Sequence, residues 1–202
     1  MEFNKAQSAG YRSPAQLVAS ACSLGGMIGG GKPPTTLVTL TPEAPDPGQI
    51  ARTAAAGQAV TIATPTVSRE LRTVRVPVQV NPSDVQYVAD LQLIDTPDRL
   101  FADLVAEMVR RTTSRVVLDS RQTALDPGLT VTGELQRFGY DAATGQVIVQ
   151  YDGALSAAGG NRVETKRFTA TAPADGSSDT VGPALNRAAN QVASEVARWI
   201  GG

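Results

Sequence analysis

The chain contains no histidine, and that single gap removes much of enzyme chemistry. Without imidazole there is no Ser-His-Asp or Cys-His catalysis, and the commonest metal ligand is missing. The one cysteine, Cys22, cannot form an internal disulfide. An oxidising compartment is therefore permitted but not demanded. Aromatic residues are only 4%, too few for a base-stacking platform. Lys+Arg number 18 against 19 Asp+Glu, a formal net charge of -1. That balance supplies no basic footprint for nucleic acid and no acidic solvating tail. No run of 18 apolar residues exists, so no segment reads as a membrane-spanning helix.

What is present is a soluble-domain composition, 42% hydrophobic in 202 residues. The first forty or so residues look unlike the rest. The remainder suffices for one domain with one core. Residues 1–26 have a charged start, with Lys5 and Arg12, then a weak apolar stretch from Ala15 to Leu24. That is the order of an export signal. Leu24-Gly25-Gly26 reads like the end of a lipoprotein signal, but Met27 follows where a cysteine would carry the lipid. A second candidate lipidation site is Cys22, which closes "VASAC". Residues 27–34 form a Gly/Pro tether; "GMIGGGK" lacks the spacing and the Ser/Thr of a phosphate loop.

From residue 35 onward the pattern is that of an α+β domain. We expect a mostly antiparallel or mixed sheet with two main helices packed on it. "TTLVTLTP" and "QAVTIATP" read as strands, separated by a Pro/Ala/Gly linker or surface loop from Glu43 to Gly57. Val74, Val76, Val78 and Val80 alternate with Arg75, Pro77 and Gln79. Proline cannot donate to a ladder, so this strand is expected at an edge or irregular. An edge offers unpaired backbone groups to another chain, which makes Arg75, Pro77 and Gln79 candidate partner contacts; the competing reading is an edge protected against binding.

Thr96-Pro97 marks a helix start, and Leu100, Phe101, Leu104, Val105, Met108 and Val109 make one apolar stripe. "LTVTGELQRFGY", "QVIVQYDGALSA" and "RVETKRFTATA" alternate and are joined by Gly-containing turns, the signature of a meander. The last helix carries Val181, Leu185, Ala188, Val192, Val196, Trp199 and Ile200 on one face. Asp84, Asp90, Asp95 and Asp98 match no calcium loop and read as a solvated polar face. Arg69, Arg72 and Arg75 read as surface arginines or as a small basic patch able to touch a phosphate headgroup. No nucleophile, base and oxyanion set is assembled, and an enzyme is not expected.

Several stretches together resemble the ABC-type transport auxiliary lipoproteins, the paraquat-inducible protein C-like family. They are "LVTLTP" after a Gly/Pro spacer, "VQYVADLQLIDTPDRLFADLVAEMV", "ELQRFGYDAATGQVIVQYDGAL" with a later "KRF", and "GPALNRAANQVASEVARWIG". The order and spacing hold over roughly Thr35 to Gly202. Leu93 departs from the pattern, standing where tryptophan is expected. The resemblance implies a non-enzymatic periplasmic lipoprotein, anchored to the outer rather than the inner membrane. It would need no cofactor. Its implied partners are a mammalian-cell-entry (MCE) domain subunit and other parts of an ABC lipid transporter, with a second copy of itself as a further expectation. It also implies that Met27 occupies the position of the lipidated cysteine. The competing reading is a soluble periplasmic lipid carrier that encloses an acyl chain, which requires a large apolar pocket.

Overall fold

The structure is a computed structural model, and it describes residues 36–119, 121–122, 126, 128–157 and 162–201. Its centre is a three-stranded antiparallel meander: β7 (Leu129–Asp141), β8 (Gln146–Ala157) and β9 (Val163–Pro173). Alternation decides which way each strand faces. Val147, Val149 and Tyr151 on β8 are buried, as are their cross-strand partners Ala172, Ala170 and Phe168 on β9. Gln150 and Asp152 lie between them and point to the opposite face. On β7 the buried set runs Val131, Leu135, Phe138 and Tyr140. The register shift between Leu135 and Arg137 keeps Phe138 on the same side as Leu135.

The other edge of β7 is shared by short parallel strands: β2 (Val60–Ile62), β3 (Thr66–Val67) and β4 (Arg75–Asn81). Beyond β4 come β5 (Asp84–Leu93), antiparallel, and β1 (Thr36–Val38), parallel to β5. β6 (Val117–Leu118) pairs with β2. The sheet is therefore mixed, and the expected long first and second strands are shorter than their alternating sequences suggest.

Two helices cover one face. α1 (Pro97–Thr112) buries Leu100, Phe101, Leu104, Val105, Met108 and Val109, the stripe expected from spacing. Thr96 occupies the cap position, but its side chain makes no capping bond. Thr96 N–H donates instead to Asp95 Oδ1 at 2.7 Å. α2 (Ser178–Gly201) buries Val181, Leu185, Ala188, Val192, Val196 and Ile200. Trp199 is only partly buried, and its ring stands 5.4 Å from Phe168. The chain extends through Phe168–Tyr151 at 6.3 Å to Tyr151–Phe101 at 5.1 Å, joining both helices to the meander. A Cβ at Gly153 would stand 2.9 Å from the Tyr151 ring, so only glycine lets the ring lie across the strand there.

The segment expected as a linker or surface loop runs over the surface as a strap bound to the helices. Asn190, 3% exposed, donates to the Thr41 carbonyl at 2.9 Å and accepts the Glu43 N–H at 2.8 Å. One turn earlier, Asn186 accepts the Thr41 N–H at 2.8 Å. Arg111 donates to the Ala44 carbonyl at 2.8 Å. Arg52 then reaches the Arg110 and Arg115 carbonyls, at 2.6 and 2.8 Å. A cation on the carbonyls ending α1 complements the helix dipole as well as satisfying orphan acceptors.

A helix-free sheet face as candidate functional site

The helices leave the second face of the sheet open, and the predicted contact residues belong to it. Of the two readings of Val74–Val80, an edge or an irregular strand, the edge is corrected and the irregularity holds: β4 lies between β5 and β7, and its ladder with β5 shifts register twice. The physical reason is that the ladder slips between Arg75 and Pro77, so the missing proline donor falls where pairing is already interrupted. Pro77 itself is buried over Gly139, where an added Cβ would stand 2.4 Å from the Pro77 carbonyl oxygen. A side chain at 139 would thus force β4 off β7.

Arg75, Pro77 and Gln79 nevertheless share one direction, because residues two apart on a strand do. The arginine guanidinium lies 4.3 Å over the Tyr87 ring, a cation–π contact. Pro77 and Gln79 border a slot of about 40 Å³ together with Glu70, Leu71, Arg137 and Ile148. Glu70 and Leu71 come from a single 3-10 turn, Arg69–Leu71.

Across β7, β8 and β9 this face is largely polar, with the Gly139–Ile148 pair at the slot as an apolar exception. Arg137 opposes Gln150, which opposes Thr169. Arg137 also donates to Asp141 at 2.8 Å, and this hydrogen bond holds the Asp141 carboxyl below its ordinary range. Arg167 grips both oxygens of Asp152 at 2.6 Å, lowering that carboxyl in the same way. These groups are matched and ionised at neutral pH. The arrangement suits recognition of a polar protein surface.

The other sequence candidates separate. Asp84 and Asp90 lie on β5, while Asp95 and Asp98 sit at the start of α1. Among the described residues no group of three or more His, Cys, Asp or Glu could hold a metal ion. Met27 and Cys22 lie outside the described residues. No helix among them is long and apolar enough to cross a membrane. On the helix side, a hollow of about 150 Å³ is lined by Leu129, Leu155, Trp199, Ile200 and the charged rim Arg115, Arg162 and Glu164. The Glu164 carboxyl is held low by Arg162 and by Trp199 Nε1, which donates at 3.1 Å. That volume matches a benzene-sized guest of about 150 Å³, far short of an acyl chain. The larger hollow beside Arg72, about 430 Å³, is lined by Arg72, Arg99, Asp95 and Asp98 and is open to solvent.

Sequence reasoning missed Tyr87, Arg137 and the asparagine pair of α2. Tyr87 was readable only once its cross-strand partner, Pro77, was known.

Comparison with known proteins agrees with this architecture. A family model described as the ABC-type transport auxiliary lipoprotein component matches residues 39–197. Comparison with curated proteins returns no match. The crystal structure of a Xanthomonas campestris protein of the DUF330 family is similar, with a TM-score of 0.64 and 19% identity. That alignment covers 83% of this chain and 92% of the other. A crystal structure of an uncharacterized protein has a TM-score of 0.61 and 13% identity, covering 74% of this chain and 96% of that one. At these identities the likeness is one of fold. With the model matching the strap, the meander and both helices, the chain belongs to the family of ABC-type transport auxiliary lipoprotein components.

Proposed function

We propose that this protein is a non-enzymatic accessory subunit of an ABC transporter carrying MCE-domain subunits. In this reading it serves lipid trafficking between the two membranes and so the integrity of the outer membrane. It sits in the periplasm on a lipid anchor attached at position 27, in the outer membrane. It works by contact and needs no cofactor. The observation that carries the reading is the open, charge-paired sheet face in a chain of this family. The partner-facing part is the expanse of Gln79, Arg137, Gln150 and Thr169. Paired charges and amides on a rigid strand surface give specificity through geometry more than raw affinity.

The acyl-chain carrier reading finds less support. The hollows bordered by described residues are either small, about 40 and 150 Å³, or open to solvent. The test is purification of the lipidated protein from its host. An MCE-domain subunit retained in stoichiometric amount supports the accessory role. A stoichiometric extracted lipid with no transporter subunit replaces it with the carrier role.

A further inference from the structure

Scattered exposed aliphatic side chains are ordinary, but two of the most exposed among the described residues lie close in the sheet. Leu37 is 64% exposed and Ile94 is 59% exposed. Leu37 pairs with Gln92 on β5, and Gln92 pairs with Arg75 on β4. Leu91 and Leu93 are buried on the helix side, so this row points to the helix-free face. Ile94 follows two residues after Gln92 in the same direction, and its N–H donates to the Val38 carbonyl at 3.0 Å. Arg75 lies within the row, and Arg72 lines a hollow with Asp95, the residue after Ile94; Arg69 opens the 3-10 turn that Arg72 follows. Arg69, Arg72 and Arg75 have no salt bridge among the described residues. The nearby acids are engaged: Glu70 accepts the Ser68 hydroxyl at 2.6 Å, and Asp95 faces Arg99 at 3.6 Å. Asp98 stands in the first turn of α1, where the helix dipole favours it.

The corner lies where the chain enters the domain, because Thr36 opens β1 directly before Leu37. Eight residues, 28–35, lie between the anchor position at Met27 and the start of β1. At about 3.5 Å each they reach roughly 28 Å at most, which keeps β1 close to the bilayer that holds the anchor.

We propose that this corner rests on the headgroup layer of the chain's own membrane, with Leu37 and Ile94 entering the interface and Arg69, Arg72 and Arg75 meeting lipid phosphates. Aliphatic side chains flanked by guanidinium groups suit the boundary between acyl chains and headgroups. The contact is weak alone and becomes effective because the anchor supplies a high local concentration. It orients the domain and leaves the Gln79–Thr169 expanse of the same face for a protein partner. The proposal rests on the lipid-anchored reading of the preceding subsection.

The test uses the full chain with Cys22→Ser and Met27→Cys, the new thiol coupled to a maleimide lipid in vesicles. A fluorescent amino acid that responds to water is placed at position 37 or 94, and at 191 on the exposed side of α2 as control. The vesicles contain phosphatidylcholine with a quarter phosphatidylglycerol. Blue-shifted emission at 37 and 94, quenched by spin-labelled lipid, with position 191 unchanged, is the expected result. The triple variant Arg69→Gln, Arg72→Gln, Arg75→Gln should at least halve that shift. Emission at 37 and 94 equal to that at 191, or an unchanged shift in the triple variant, overturns the proposal. The synthetic anchor makes the outcome independent of native lipidation and of the transporter, so the accessory role stands or falls by its own purification.

Discussion

The Asn190 amide donates to the Thr41 carbonyl across 149 residues of sequence, at 2.9 Å, from a side chain only 3% exposed. Asn190→Ala would orphan that carbonyl and the Glu43 N–H together. Thr41 and Glu43 are exposed, so the change removes the net worth of two hydrogen bonds, and a loss of about 1–3 kcal/mol is expected. Denaturant unfolding measures it, and limited proteolysis should cut faster between residues 41 and 57. Asn186→Ala, at a more exposed site, should cost less.

Leu185 is fully buried on the sheet-facing side of α2. Leu185→Ala should cost about 2–5 kcal/mol through lost transfer energy and the cavity left behind. A loss below about 0.5 kcal/mol in thermal or denaturant unfolding would mean that this face is not packed.

Gly139→Ala tests how β4 reaches β7. The new methyl would press on the Pro77 carbonyl oxygen at 2.4 Å and on its ring at 2.9 Å. Overpacking of this kind costs about 1–3 kcal/mol. Hydrogen exchange should quicken at Val78 and Gln79, the two residues that pair with β7. Unchanged exchange there would show that the two strands are not tightly paired.

Asp175 gives a pH signature. Bonds from Ser177, at 2.9 Å from its N–H, and from the Thr180 hydroxyl lower its carboxyl to about 2. A carboxyl depressed in the folded state contributes stability that is fully present above the unfolded value near 3.8 and is lost as pH falls toward about 2. The Asp175 carboxyl resonance should titrate near 2, and Asp175→Asn should flatten the fall in melting temperature between pH 4 and pH 2. A midpoint near 3.8 would show that the turn before α2 does not hold the carboxylate.

Both helices and the meander were legible because their faces are one-sided. The stripe from Leu100 to Val109 has helical spacing, and Val147, Val149 and Tyr151 alternate with Gln150. The place of β4 was not legible. Proline in a strand ordinarily marks an edge, and here a register slip plus a glycine on the neighbouring strand admits it to the interior. The strap was not legible either. Asn186 and Asn190, one turn apart, look like solvated helix residues until their partners arrive from the other end of the chain. The helix-free face emerged in part: Arg75, Pro77 and Gln79 point the way expected, while Arg137 and Tyr87 join them only through cross-strand pairing.

The central claim is that the protein acts by contact through the open sheet face. Site-specific photocrosslinking in cells, from Gln79 and Gln150 with Arg187 on α2 as control, tests it most directly. The account predicts adducts to an MCE-domain transporter subunit from Gln79 and Gln150 and none from Arg187. Equal adducts from Arg187, or none from Gln79 and Gln150 while the transporter is assembled, would contradict it.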